Sequence, residues 1–109
     1  MDLEYEKRED GTLVQVIGRM DAISAPAFEK GCTSVIDDGE KRIVVDCTRL
    51  EYISSAGLRS ILVAAKKMKG SGGTISFCGL AGMVEEVFKV SGMGSMFVVT
   101  NTAEEAFGS

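Results

Sequence analysis

Apolar positions along this chain switch repeatedly between a period of two and a period near 3.6, and the switching predicts its elements. Leu3 and Tyr5 alternate with Glu4 and Glu6 as in a half-buried strand. Asp10-Gly11 predicts the positive φ angles of a tight hairpin turn. Leu13 to Ile17 returns as a second strand, closed by Gly18. Gly18-Arg19-Met20-Asp21 then leads to a helix entered through Ser24, with Pro26 in its first turn, where a missing N–H costs nothing. Ala25, Phe28, Cys32, Val35 and Ile36 mark its buried face, and Asp37-Asp38-Gly39 ends it. Arg42 to Cys47 has the short apolar centre of a buried parallel strand. Leu58, Ile61, Leu62, Ala65 and Met68 recur at helical spacing and predict a helix over 56–69.

The Gly70-Ser71-Gly72-Gly73 run that stops this helix is a turn. It leads from helix to strand, the reverse of what a phosphate-binding loop needs, and no Lys-Ser or Lys-Thr pair follows it. Thr74 to Cys78 is the next strand, and Met83, Val84, Val87 and Phe88 give a third helix. Gly92 before Met93 predicts a left-handed cap with its hydrophobic contact. Phe97 to Val99 is a last strand, and Thr102 with Glu105 has capping-box spacing for a terminal helix. The order β-β-α-β-α-β-α-β-α predicts an α/β fold: a mixed sheet opened by a β-hairpin, with helical crossovers packed on it.

Composition narrows the function classes. The 109 residues suit one domain, 1–109, and 45 % hydrophobic content is that of a globular chain. A net charge of −4 leaves no basic surplus to neutralise phosphates, which argues against nucleic acid as a partner. Met1 to Lys7 is charged where a leader would be apolar, and the longest apolar run, Ile61 to Ala65, is too short for membrane insertion. Cys32, Cys47 and Cys78 each fall on an apolar face or strand, as expected of buried free thiols in a reducing cytoplasm rather than of a disulfide or metal site. With no histidine in the chain, the common nucleophile–base pairs and the commonest metal ligand are missing. Neither a metal nor any other cofactor is expected.

Candidate chemistry gathers where the 42–47 strand hands over to the 56–69 helix. Ser54 and Ser55 sit at that junction, and either is a suitable N-cap. Free N–H groups and the positive end of the helix dipole would also accept a phosphate there. Asp46 precedes the loop, and Asp21 lies on a loop at the same predicted rim. Both aspartates have an alternative role as turn residues that accept backbone N–H bonds. Arg19 and Arg59 are the basic groups in reach, and Met93 and Met96 lie near a surface turn.

Gly18-Arg19-Met20-Asp21, Ile43-Val44-Val45-Asp46 and Tyr52-Ile53-Ser54-Ser55-Ala56-Gly57-Leu58, in this order, resemble a STAS domain. More narrowly, they resemble the bacterial anti-sigma factor antagonists. The resemblance implies a small cytoplasmic non-enzyme that binds an anti-sigma factor, itself a serine kinase, and so frees a sigma factor. Phosphorylation of a loop serine by the kinase ends the binding, and a separate phosphatase of the PP2C type restores it. The family loop reads Asp-Ser-Ser/Thr/Ala-Gly-Leu, so Ser54 stands in place of the aspartate and Ser55 is the first serine. The resemblance makes Ser55 the acceptor, with Ser54 as second choice. Asp21, Asp46, Ser54, Ser55, Gly57 and Arg59 are then the partner-binding residues. Phosphate adds roughly −1.5 to −2 charge beside Asp21, Asp46 and Glu51, while Arg59 is placed to pair with it. The alternatives are a constitutive STAS scaffold, such as a transporter subunit, and a small nucleotide-binding protein or enzyme using the same rim.

Overall fold

The computed structural model describes residues 1–108. Strand β1 (Asp2–Arg8) turns through Glu9 and Asp10 into β2 (Gly11–Met20), paired antiparallel from Asp2↔Ile17 to Arg8↔Gly11. The turn differs from the expectation. Gly11 has a positive φ, 157°, but as a residue already paired in β2, and neither Glu9 nor Asp10 has one. Gly11 also serves space: a Cβ there would stand 2.9 Å from the Arg42 carbonyl oxygen and 2.9 Å from the Phe107 ring.

Helix α1 (Ala25–Asp37) crosses to β3 (Arg42–Asp46), which runs parallel to the first half of β2, from Thr12↔Ile43 to Gln15↔Asp46. β2 does not stop at Gly18. A register shift between Gly18 and Arg19 lets it run on to Met20, and Gly18 takes a φ of 95° there, a left-handed value that favours glycine. The extension has its own partner, a strand the sequence pattern did not predict. This is β4 (Leu50–Ile53), parallel to β2, with Met20 opposite Ile53.

Helix α2 (Ser55–Gly70) leads to β5 (Thr74–Cys78), parallel to β3. Helix α3 (Gly82–Ser91) ends at Gly92, whose φ of 81° is the expected left-handed cap, and a short α4 (Met93–Met96) follows unpredicted. β6 (Val99–Thr100) starts two residues later than the sequence implied and pairs parallel with β5. In α5 (Ala103–Gly108) the Thr102 Oγ1 accepts the Glu105 N–H at 3.2 Å, one half of the capping box. The described residues thus form a mixed six-stranded sheet, ordered β1-β2-β3-β5-β6 with β4 beside β2, and five helices. No helix among them is long and apolar enough to cross a membrane.

Strand alternation sorts the core onto two faces. Val14, Val16, Ile43, Val45 and Phe77 point to the face covered by α1, α2 and α3, against Phe28, Ile61, Met68 and Phe88. Leu13, Val44 and Cys78 point the other way, under Ala103 and Ala106 of α5. β3 is therefore buried on both sides, which explains its uninterrupted Ile43-Val44-Val45 run. Phe77 meets Phe88 edge-on at 5.4 Å and Phe97 at 5.1 Å between ring centres. The fully buried rings of Phe77 and Phe88 each contribute about 1.5–3 kcal/mol by burial.

All three cysteines are free and buried. Burial pushes the Cys32 thiol up to about 12. Burial with the nearby Asp46 and Glu104 carboxylates takes Cys78 to about 12, and burial raises Cys47 as well. At pH 8 native protein should therefore react slowly with thiol reagents at all three positions and rapidly in denaturant, as followed by mass spectrometry.

Glu40 links β3 to the hairpin. Its carboxylate accepts hydrogen bonds from Lys7, from Thr12 Oγ1 at 2.6 Å and from the N–H of Lys41 at 3.1 Å. Burial by itself would raise the carboxyl, but these donors outweigh it and hold it at about 2, below its ordinary 4.5. A folded-state value below the unfolded one stabilises fully above the unfolded value and is lost as pH falls through the folded one. Thermal stability should decline between about pH 4.5 and 2, and Glu40→Gln should flatten that part of the profile.

Candidate functional site

The ends of β2 and β4 bring two strand-to-helix junctions side by side. Met20 lies opposite Ile53, so Asp21 and Ser54, the next residues on each strand, are neighbours. The Ser54 N–H donates to the Met20 carbonyl at 2.9 Å, which ties the second junction to the first.

At the second junction the two serines divide the work. Ser54 is the N-cap: its backbone is extended, with φ −97° and ψ 175°, and its hydroxyl accepts the Gly57 N–H at 3.2 Å. Its carbonyl accepts the Leu58 N–H at 2.9 Å, the first turn of α2. Ser55 is the first helical residue, exposed, and its hydroxyl has no hydrogen-bond partner among the described residues. Arg59, one turn on, is also exposed. Residues at this spacing share a helix face, with Cβ atoms roughly 5–6 Å apart.

Gly57 does not reach the surface, contrary to the expectation of partner contact. It is buried where α2 meets the strands, and a Cβ would stand 2.7 Å from the Met20 carbonyl oxygen and 2.8 Å from Ile53 Cγ1. Its missing side chain permits close packing of helix on sheet.

The first junction is closed by a reciprocal pair. The Asp21 N–H donates to Ser24 Oγ at 2.9 Å, and the Ser24 N–H donates to Asp21 Oδ1 at 3.1 Å. This is the logic of a capping box, with aspartate as the cap. The Ile23 N–H adds a further bond to the same oxygen at 3.1 Å. The Ser24 and Ile23 N–H groups, with Ser24 Oγ and the Arg19 guanidinium, hold the Asp21 carboxyl below the usual carboxylate range. Ser24 stands at the N-cap position before Ala25, as expected, but its backbone is already helical and its hydroxyl serves Asp21 and the Arg19 carbonyl rather than a helix N–H.

Asp46 stands apart. It ends β3 opposite Gln15, five residues back along β2 from Met20, roughly 16 Å at the usual strand rise. There its Oδ1 accepts the Thr48 N–H at 2.9 Å and the Thr48 hydroxyl at 2.6 Å. The site expected from the sequence thus separates into a cluster of Asp21, Ser54, Ser55 and Arg59, and an Asp46 turn elsewhere. Sequence reading missed Tyr52 and Arg19 as a pair: they face each other across β4 and β2, with the guanidinium 4.1 Å from the ring centre. Ile23, 92 % exposed on the Asp21 turn, is a second omission. Neither serine lines the surface grooves found between β1 and α1, beside Lys67, or under β6. An exposed hydroxyl outside these grooves suits contact with another protein better than small-molecule chemistry.

Comparison with known proteins follows the same line. The STAS domain family profile matches residues 2–106. A Bordetella bronchiseptica protein, BtrV, provisionally named an anti-sigma factor antagonist, is 41 % identical over 98 residues, 89 % of this chain and 84 % of that protein. Among solved structures, an anti-sigma factor antagonist from Mycobacterium paratuberculosis superposes with a TM-score of 0.88 at 21 % identity, covering 98 % of this chain and 91 % of the other. The Bacillus anti-sigma factor antagonist SpoIIAA in its phosphorylated form gives 0.76 at 19 % identity, over 98 % and 97 % of the two chains.

The capping geometry separates the two serines by stability. Ser54→Ala should cost about 1 kcal/mol, since it removes the side-chain acceptor at the N-cap. Ser55→Ala should change stability by no more than a few tenths of a kcal/mol, because its hydroxyl has no partner among the described residues. Urea unfolding of both variants checks the contrast.

Proposed function

The chain belongs to the STAS domain family and its anti-sigma factor antagonists, and from that premise we propose that it is a regulatory binding protein, 1–109 being one such domain, whose partner is an anti-sigma factor with serine kinase activity. In this reading the unmodified protein occupies the kinase and so releases a sigma factor. The kinase transfers the γ-phosphoryl group of ATP to Ser55 Oγ, with ADP leaving and the hydroxyl proton lost. A PP2C-type phosphatase passes the phosphoryl group to water and restores the serine. The protein itself performs no catalysis and works in the cytoplasm.

The observation that carries the reading is the exposed, unbonded Ser55 hydroxyl next to a separate capping serine. Phosphate at the first helical residue meets the positive end of the helix dipole and lies within reach of Arg59, so the fold tolerates it. A partner fitted to a neutral hydroxyl meets a dianion instead. Asp21 and Arg59 remain in the proposed contact surface with Ser54 and Ser55. Asp46 and Gly57 leave it, one by distance and one by burial.

The test uses the purified anti-sigma factor kinase of the same organism. Wild-type protein should bind it and, with ATP, gain one phosphate that peptide mapping places on Ser55. Ser55→Asp should weaken binding at least tenfold with an unchanged melting temperature, and Ser55→Ala should bind but resist release by ATP. Phosphate on Ser54 alone would reverse the assignment. Binding without modification of either serine would favour the constitutive scaffold.

A further inference from the structure

Helix α2 carries a charge pattern unlike the rest of the chain. It contains Arg59, Lys66, Lys67 and Lys69 and no acidic residue, in a protein of net charge −4. At about 100° per residue, Arg59, Leu62, Lys66 and Lys69 all fall within about 40° of Ser55 on one side or the other, a stripe about 80° wide around the helix. All five are exposed, and Leu62 is 40 % exposed. The opposite side holds the buried Ile61, Ala64 and Met68. Lys67 lies off the stripe and bonds Thr33 Oγ1 at 3.0 Å. Among the described residues Arg59, Lys66 and Lys69 have no carboxylate partner. Basic side chains in the last turn favour the helix dipole, which accounts for Lys69 but not for Arg59 near the positive end or for the exposed Leu62 between the charges.

Resting on the regulatory reading above, we propose that this stripe is the docking surface for an acidic segment of the anti-sigma factor, laid along α2 with an apolar side chain on Leu62. Lys66 lies eleven residues beyond Ser55, roughly 16 Å along the axis, so it is outside the immediate surroundings of a phosphate acceptor. The arrangement gives the switch a cause. Phosphate on Ser55 places a dianion at the head of a track that an acidic segment occupies, and it takes Arg59 from that segment. Repulsion and loss of a cation then act together on the partner while α2 stays folded.

The experiment measures binding of the unphosphorylated protein to the same purified kinase at 50 and 500 mM salt. Lys66→Glu should weaken binding about tenfold at low salt, mainly by slowing association, and the difference should shrink at high salt. Lys66→Arg should bind as wild type, and so should Lys89→Glu, the same charge change on an exposed position of α3. Wild-type binding unaffected by Lys66→Glu, or equally weakened by Lys89→Glu, overturns the stripe and leaves the regulatory reading standing. Failure of wild type to bind overturns both. Self-association of the free protein that Lys66→Glu abolishes would make the occupant a second copy and overturn the acidic partner segment.

Discussion

One carbonyl group sets the geometry of the site. The Met20 oxygen accepts the Ser54 N–H at 2.9 Å and would stand 2.7 Å from any Cβ at position 57. The first contact fixes where the chain leaves β4, and the second fixes how closely α2 returns over the end of β2. Between these two points the chain has only Ser55 and Ala56. With Ser54 turned inward to cap the helix and Gly57 pressed on the strand, Ser55 is left facing solvent. Exposure of the candidate acceptor is thus a consequence of packing rather than of a mobile loop.

Separating the cap from the acceptor has an energetic consequence. Were one hydroxyl to do both jobs, phosphorylation would remove the cap and couple modification to unfolding of the first turn. Here the cap oxygen belongs to Ser54 and remains in place whatever happens at Ser55. The family pattern has aspartate at this position, and aspartate and serine are comparable N-caps. Serine therefore keeps the capping interaction and carries no negative charge next to the proposed acceptor.

Most of the fold was legible because its elements carry strong periodicity or a continuous buried run: β3, α2 and the α1 face all have that character. What escaped was short or depended on tertiary contacts. Leu50-Glu51-Tyr52-Ile53 holds too few residues to show alternation, and it becomes β4 only because β2 extends to meet it. Gly18 reads locally as a stop, yet its left-handed φ makes the register shift that allows the extension. The same hidden strand misplaced Asp46. Without β4, the serines seemed to follow β3 directly, whereas four further strand residues carry them away from its end. Local chemistry could not say which of Ser54 and Ser55 caps the helix because both are good caps; the hydrogen bond from Gly57 assigns that role to Ser54.

Relocating Asp46 and satisfying Asp21 change the electrostatics around the proposed acceptor. The Asp21 carboxylate is engaged by its own turn, through Ser24 and Ile23, and so is poorly placed to bind a cation on another protein. Arg59 shares the helix face of Ser55, while Arg19 is held over the Tyr52 ring. Under the proposed switch Arg59 favours the phosphate, so the cation nearest the acceptor would not be what excludes the partner. Discrimination has to come from the surface brought against it. A partner that is itself negative there meets attraction before modification and repulsion after it, with no change of fold required.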